Sequence, residues 1–245
     1  MTAVISAYNI INMNTSTTTI SSREIARLID ISAVRADSTR QDVEDIIEAA
    51  IKHNFICVFP MPGLLPLVFE KLKKHPHIGI GGVVGFPSGA ETTTCKLFQA
   101  QELKKAGCNE IDMVLNIGKL KSGMLTEVED EIRQIKAAVS PFPLKVIMEV
   151  ALLTDEEIKI ASTLILRAGA DYIKTGTGWA GATTLRHVAL IKEMVGDAIQ
   201  LKVAGGVRTL DTLLEMHRMG VSRFGIGYKS ALHIMDECIN REAHE

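Results

Sequence analysis

Eight short apolar runs, each followed by a longer amphipathic stretch, recur along the 245 residues of the chain. The runs are rich in β-branched and aliphatic residues, whereas the stretches between them have helical spacing. The runs are Leu28–Ser32, Phe55–Phe59, Ile78–Val84, Glu110–Leu115, Leu144–Val150, Asp171–Lys174, Gln200–Val203 and Arg223–Ile226. Strands that alternate with helices pair in parallel through right-handed crossovers, so the pattern predicts an α/β fold with a parallel sheet.

The stretches between the runs begin with helix-capping residues. Ser21 stands three residues before Glu24 and Thr39 three residues before Asp42, which is the spacing of a capping box or a near variant. Thr154 precedes three acidic residues, and the helix dipole favours acidic side chains in a first turn. These signals predict helix starts where the alternation requires them.

Eight strand–helix units within the length of one domain favour a closed (β/α)8 TIM barrel. The alternative is an open sheet of the flavodoxin or Rossmann type, which is weakened because no GxGxxG sequence follows the first run. No linker rich in Pro, Gly or Ser divides the chain. We therefore expect a loosely ordered leader over residues 1–20 and one barrel over residues 21–245.

Composition argues against several classes of function. The formal net charge is −2 and no stretch is dense in Lys and Arg, so we expect no nucleic-acid partner. No apolar run approaches the roughly 20 residues that span a bilayer, and the N-terminus lacks the features of a signal peptide. The four cysteines are widely spaced and form no metal-binding cluster, which indicates a reduced, cytoplasmic protein without a metal.

Three ionisable residues stand out near strand ends, where barrels carry their reactive groups. Lys174 ends the sixth run before a Gly-rich turn and is either a catalytic amine or a rim lysine in a salt bridge. Lys202 ends the neighbouring seventh run. Two adjacent ammonium groups lower a lysine pKa and so supply the free amine that attacks a carbonyl. The alternative is that Lys202 only binds an anion.

Asp112, at the end of the fourth run between Ile111 and Met113, is the third of these residues. Buried carboxylates are rare unless they are paired, so Asp112 requires a cationic or hydrogen-bonding partner. Opposite the two lysines it could relay protons. The alternative is that it holds a loop by hydrogen bonds.

Glycine-rich turns after the last two runs predict an anion site. Gly205 and Gly206 precede Arg208 and the start of a helix, where backbone N–H groups are free to bind an anion. Gly225 and Gly227 follow in the turn after the eighth run. Barrels often bind phosphate in these two turns, so we expect a phosphorylated small molecule there.

Five segments, in order and at regular intervals, carry a family resemblance. They are Cys57–Pro60, Val83–Gly89, Glu110–Val114, Asp171–Thr175 and Lys202–Arg208. Together they resemble the deoxyribose-phosphate aldolase family over most of the chain, roughly from Arg27 to Ala231. The resemblance implies a class I aldolase that acts on 2-deoxyribose 5-phosphate, without a metal or cofactor, as a homo-oligomer of two or more chains.

The resemblance also implies a role for each matching residue. Lys174 falls where the family carries its Schiff-base lysine, Lys202 where it carries the second lysine, and Asp112 where it carries the proton-relay acid. The substrate-binding positions implied by the resemblance and by the glycine turns are Asp30, Thr175, Gly205, Gly206, Arg208, Gly225 and Gly227.

The sequence departs from the family pattern at three places. Ile31 stands where the family has a His in its first strand, and Gly176 stands where it has a Ser after the lysine. Gly227 and Tyr228 stand where the last loop usually carries serines for phosphate. These changes retain the lysines and leave the exact substrate open.

Rival interpretations remain open at this level. One is a related Schiff-base aldolase for another sugar, one is a barrel isomerase or synthase that forms no Schiff base, and one is a non-catalytic binding protein. We interpret Cys57 as a packed thiol because no His activates it. Trp179 either lines the mouth of the barrel or packs beside it.

Overall fold

The eight apolar runs form eight parallel strands, and the computed structural model describes them within residues 20–244. The strands are β1 (Ile29–Ala33), β2 (Cys57–Pro60), β3 (Gly79–Val84), β4 (Glu110–Val114), β5 (Leu144–Ile147), β6 (Tyr172–Lys174), β7 (Gln200–Ala204) and β8 (Arg223–Gly227). Each strand pairs with the next and β8 pairs with β1, so the sheet closes. The predicted (β/α)8 barrel is confirmed, while residues 1–19 of the expected leader lie outside the described residues.

The helices surround the barrel between the strands. They are α1 (Ser22–Ala26), α2 (Arg40–His53), α3 (Leu65–Leu72), α4 (Thr93–Ala106), α5 (Ile117–Lys121), α6 (Leu125–Val139), α7 (Asp155–Arg167), α8 (Leu185–Val195), α9 (Leu210–Arg218) and α10 (Tyr228–Glu242). The capping boxes at Ser21, Thr39 and Thr154 are all present, and each such cap stabilises its helix by about 1 kcal/mol. None of these helices in residues 20–244 is both long enough and apolar enough to cross a membrane.

The largest departure from the predicted strand bounds is at β5, which ends at Ile147 rather than Val150. Glu149 adopts a left-handed conformation with φ of 56° and leads into a 3-10 turn over Val150–Leu152. A strand cannot continue through a left-handed residue. The apolar run therefore contains both the end of the strand and the turn after it.

The interior of the barrel is unusually polar. Strand side chains alternate between the two faces of a sheet, and the outward residues such as Ile111 and Met113 are fully buried in the main apolar core. The inward positions carry a layer of charged side chains where barrels usually pack aliphatic ones. The charged side chains with 7% exposure or less on β1, β4, β5, β6, β7 and β8 are Asp30, Asp112, Lys145, Lys174, Lys202 and Arg223.

Candidate active site

Three strands bring the three predicted reactive side chains together inside the barrel. The Nζ atom of Lys174 on β6 lies 2.7 Å from Oδ2 of Asp112 on β4. The Nζ atom of Lys202 on β7 lies 2.7 Å from the same oxygen. Lys174 is 7% exposed and the other two are almost fully buried, so one carboxylate oxygen is shared by two lysines at the edge of the interior.

The sequence predicted that all three residues end their strands, and for two of them this is wrong. Lys174 is the last residue of β6, but Asp112 lies in the middle of Glu110–Val114 and Lys202 in the middle of Gln200–Ala204. Neighbouring strands of a barrel are staggered, so a residue from the middle of one strand reaches the same layer as the end of another. The parallel register accordingly pairs Lys174 with Lys202.

Burial and neighbouring charges lower the pKa of Lys174 to about 8. Burial is the largest cause, because it removes water from the ammonium group. Asp112 raises the pKa of Lys174, and the like charge of Lys202 lowers it. The sequence predicted a pKa lowered by a neighbouring like charge together with partial desolvation, and of these two causes desolvation is the larger. A free amine is therefore accessible at Lys174 near neutral pH.

Asp112 is held in its ionised form. Burial would raise the pKa of this carboxyl group, but Lys174, Lys202 and Lys145 surround it and hold its pKa far below the usual range. Oδ1 of Asp112 lies 3.4 Å from Nζ of Lys145. Asp112 is thus a fixed negative charge among three cations.

Four further charged side chains lie nearer the amino ends of the strands and were not predicted to form a cluster. They are Asp30, Glu110, Lys145 and Arg223. Lys145 contacts Asp30 at 3.3 Å and hydrogen-bonds Glu110, while Arg223 donates to Asp30 at 3.1 Å and to Glu110 at 2.6 Å. Lys202 lies 2.6 Å from Asp30 and joins this cluster to the reactive lysine.

Asp30, expected from the resemblance to bind substrate, has no exposed surface. Its two carboxylate oxygens contact Lys145, Lys202 and Arg223. The signal for this cluster was the presence of charged residues within four apolar strands, one each in β1, β5 and β8 and two in β4. Lys145 is in register with Asp112, and Arg223 is in register with Lys202.

An aromatic ring lies against the three lysines. The Nζ atoms of Lys202, Lys145 and Lys174 lie 4.2, 4.8 and 5.9 Å from the centroid of the Phe59 ring. The face of an aromatic ring attracts cations and offers them no hydrogen bond. Phe59 therefore helps to keep the lysines close together in a dry environment.

A cleft of about 470 Å³ borders the small cavity that contains Lys174 and Lys202. Its lining includes Arg208 and Gly225, and Gly225 lies within β8 rather than in the predicted turn after it. Gly205 and Gly206 have φ of 87° and 91°, a conformation that favours glycine. A Cβ on Gly206 would lie only 2.7 Å from Ala182, so the loop also needs the missing side chain. The backbone of this loop can therefore approach a ligand closely.

Gly227 lies at the N-terminus of α10, which opens on the same cleft. No side chain caps this helix, so its first N–H groups are free to receive an anion. A Cβ added to Gly227 would meet no atom within 4 Å. The space where the family carries a serine is thus open in this chain.

The hydroxyl group of Thr175 is fully buried and supports the neighbouring strand. It accepts hydrogen bonds from the Ala204 N–H at 3.1 Å and from the Thr183 hydroxyl at 2.7 Å. Trp179 lines the cleft, donates from Nε1 to the Val34 carbonyl at 3.1 Å, and contacts Phe86 edge to face. Thr175 therefore faces the protein, whereas Trp179 lies at the mouth.

One group of side chains within residues 20–244, formed by Asp30, Cys57 and Glu110, has the spacing of metal ligands. Both carboxylates are already hydrogen-bonded to Lys145 and Arg223. Burial raises the pKa of the Cys57 thiol well above its usual value, so the thiolate that binds metals is disfavoured. This group fits a metal ion poorly.

Comparisons with known proteins show that the chain belongs to a family of aldolases. The model of the DeoC/LacD family aldolases matches residues 24–231. The deoxyribose-phosphate aldolase of Sinorhizobium medicae is 46% identical over 217 residues, which is 88% of each chain. That of Rhizobium meliloti is 43% identical over 94% of this chain and 93% of its own. The solved structure of an aldolase named QR15 is 31% identical, has a TM-score of 0.83, and matches over 90% of this chain and 98% of its own.

Proposed function

The chain belongs to the DeoC/LacD family of aldolases, and from that premise we propose that it cleaves and forms 2-deoxyribose 5-phosphate through a Schiff base on Lys174. It is a carbon–carbon lyase. One observation carries the assignment of the nucleophile: Lys174 is a buried amine with a pKa of about 8, within 2.7 Å of a fixed carboxylate. An amine of lowered pKa attacks a carbonyl at neutral pH.

Cleavage begins with the open-chain aldehyde. The neutral Lys174 amine attacks C1 of the sugar to give a carbinolamine, which loses water to form an iminium ion. The C3 hydroxyl then gives up its proton while the C2–C3 bond breaks, and the electron pair of that bond forms the enamine. Glyceraldehyde 3-phosphate leaves. Protonation of the enamine at C2 and hydrolysis of the resulting iminium ion release acetaldehyde and restore Lys174.

Lys202 and Asp112 serve different parts of this sequence. The pKa of Asp112 lies far below the usual range because of its three cations, so the carboxylate fixes the two ammonium groups rather than holding a proton at rest. Lys202 is the remaining proton donor beside the amine, at 2.7 Å from Asp112. We therefore assign proton transfer to Lys202, with Asp112 as the group that orients it.

The phosphate end of the substrate fits the cleft beside the lysines. Arg208 supplies a positive charge there, and free N–H groups of the Gly205–Gly206 loop and of α10 supply hydrogen bonds. An open-chain pentose extends from Lys174 into this cleft. The cleft and the small cavity beside Lys174 both include Thr177 and Gly225, so the two ends of the site are continuous.

The test is the rate of acetaldehyde release from 2-deoxyribose 5-phosphate and from 2-deoxyribose. We expect kcat/KM to be about 100-fold or more higher for the phosphorylated sugar, since charge-assisted hydrogen bonds contribute roughly 1.5–3 kcal/mol each. Equal kcat/KM for the two sugars would contradict the phosphate assignment. Absence of acetaldehyde from both sugars would contradict the proposed reaction.

The variant Gly227→Ser tests the phosphate end of the site by adding a hydroxyl group there. The site has room for the side chain, and its backbone, with φ of −74° and ψ of 158°, is that of a helix N-cap. We expect a lower KM for the phosphorylated sugar, by about two- to tenfold for one added hydrogen bond, and no change for the free sugar. A lower KM for both sugars would show that the gain does not come from the phosphate.

The chain is further proposed to form a homo-oligomer in the cytoplasm. Phe98 on α4 is 65% exposed, and burial of such an apolar side chain against a second chain would favour association. Cys57, Cys95 and Cys108 are thiols outside any disulfide, as is common in a reducing compartment. Light scattering of the purified protein measures the assembly, and a mass of one chain would contradict it.

A further inference from the structure

Glu149, directly after β5, is a buried acid that no step above employs. It is 2% exposed and has a φ of 56°. No Lys or Arg side chain within residues 20–244 forms a salt bridge with it. Its oxygens instead accept from Thr177, whose backbone N–H lies 3.1 Å from Oε2 and whose hydroxyl donates to the same oxygen. A non-glycine residue with a positive φ is uncommon, and so is a buried carboxyl group without a cationic partner. The contact between Glu149 and Thr177 therefore requires an explanation.

The hydrogen bonds around Thr177 leave its hydroxyl oxygen able to accept one more hydrogen bond. A hydroxyl has one proton to donate and two lone pairs to accept with. The hydroxyl proton is directed to Glu149, and the backbone N–H of Trp179 donates to one lone pair at 3.0 Å. No other group within residues 20–244 donates to the second lone pair. While its proton is directed to Glu149, the hydroxyl can accept a hydrogen bond from a ligand but cannot donate one.

Thr177 lies where the two ends of the site meet. It lines the cleft that contains the phosphate loops, and it also lines the small cavity of about 30 Å³ beside Lys174 and Lys202. A substrate that reaches from the amine to the anion site therefore passes this residue.

We propose that Glu149 is a positioning residue that fixes the Thr177 hydroxyl as an acceptor, so that the site selects a phosphorylated aldehyde with a hydroxyl beside its reacting carbon. This inference rests on the proposed function. In glyceraldehyde 3-phosphate the reacting carbonyl oxygen gains negative charge as the new bond forms and needs donors. Thr177 has no proton left for it. The 2-hydroxyl keeps its proton throughout the reaction, and it is the group that an acceptor-only Thr177 fits.

The experiment compares two acceptors in the direction of synthesis with acetaldehyde. One is glyceraldehyde 3-phosphate, and the other is 3-oxopropyl phosphate, which lacks only the 2-hydroxyl. The measured quantity is the ratio of their kcat/KM values. Glu149→Gln retains an acceptor for the Thr177 N–H but directs an amide N–H at the hydroxyl oxygen. We expect this variant to lower the ratio about five- to tenfold, the size of one neutral hydrogen bond.

A double-mutant cycle with Thr177→Val separates this role from a structural one. Thr177→Val removes the hydroxyl, and we expect the ratio to fall toward one, whereas Thr177→Ser retains it. In the Thr177→Val background, Glu149→Gln should not change the ratio further. A loss that is equal for the two aldehydes, or an effect of Glu149→Gln that persists without the hydroxyl, would overturn the proposal.

Gly176→Ala moves the carboxylate without removing it and serves if Glu149→Gln does not fold. A Cβ at Gly176 would lie 2.8 Å from Oε1 of Glu149, so the carboxylate must move and its hydrogen bonds with Thr177 are disturbed. We expect the ratio to fall at least about twofold, and an unchanged ratio would overturn the proposal. No product from either aldehyde with the wild-type protein would overturn the proposed function as well, whereas product from both with unchanged ratios overturns this inference alone.

Discussion

Two buried lysines in one barrel have opposite properties. Burial acts to lower the pKa of both Lys145 on β5 and Lys174 on β6. Around Lys145 the carboxylates of Asp30, Asp112 and Glu110 outweigh that effect and raise its pKa well above the ordinary value. Lys174 contacts one carboxylate that Lys202 shares, and its pKa falls to about 8. The number of carboxylates per ammonium group therefore decides which lysine can become a nucleophile.

The comparison also separates stability from reactivity. The inner cluster is closely balanced, because Arg223 and Lys145 face Asp30 and Glu110. Removing one member would leave charges buried without partners. At the mouth cations outnumber carboxylates, which together with burial lowers the pKa of Lys174, so neutral amine becomes available at the position where substrate enters.

Lys174→Met should have the largest effect on the reaction. The side chain keeps its length and loses the amine, so we expect kcat/KM for 2-deoxyribose 5-phosphate to fall about 10⁴-fold or more, as when other covalent nucleophiles are removed. Lys159→Met on α7 is the control, since Lys159 is partly exposed and forms a surface salt bridge with Glu193 at 3.6 Å. A loss below about tenfold would indicate that another group forms the bond to substrate.

Lys145→Met should have the largest effect on folding. It leaves the inner carboxylates with one cation fewer, and we expect the free energy of unfolding to fall by about 3–5 kcal/mol in urea at pH 7. Lys174→Met should leave the free energy of unfolding unchanged or raise it, because a lysine whose pKa is lowered in the fold opposes folding at pH values below about 8. Equal destabilisation by the two variants would refute the distinction between them.

Two variants at the mouth should shift the acid limb of the pH profile in opposite directions. The neutral form of Lys174 is the reactive one, so kcat/KM rises with pH through its pKa of about 8. Lys202→Met removes a like charge, so the limb should move to higher pH, by about one unit. Asp112→Asn removes an opposite charge, so the limb should move to lower pH even as kcat falls. Shifts in the same direction would contradict the assignment of this limb to Lys174.

Much of this arrangement could be predicted from the sequence. The eight strands followed from the alternation of apolar runs and capped helices, and Lys174 and the Gly205–Arg208 turn were found because barrels carry reactive groups at strand ends. Lys202 and Asp112 were found by the same rule, and the resemblance then implied a role for each. Their positions along the strands were predicted wrongly. The stagger between strands determines which residues share a layer, and the sequence pattern carries no information on that stagger.

Other parts of the site required coordinates. Lys145 and Arg223 each appear as one charge within an apolar strand, and nothing in either strand indicates that they meet across the barrel. Glu149 lies within an apolar run that was assigned to β5, and its left-handed backbone is not a property of the glutamate itself. Contacts between distant strands and conformations imposed by tertiary packing are the features that the sequence pattern left out.

The most direct test of the central claim is the pH dependence of covalent trapping. The protein is incubated with acetaldehyde and borohydride, and peptide mass spectrometry locates the added ethyl group. We expect the group on Lys174, with half-maximal trapping near pH 8, where its pKa lies, and no such adduct in Lys174→Met. Trapping spread over surface lysines, or trapping at Lys174 that begins only near the ordinary lysine pKa of about 10.4, would contradict the account.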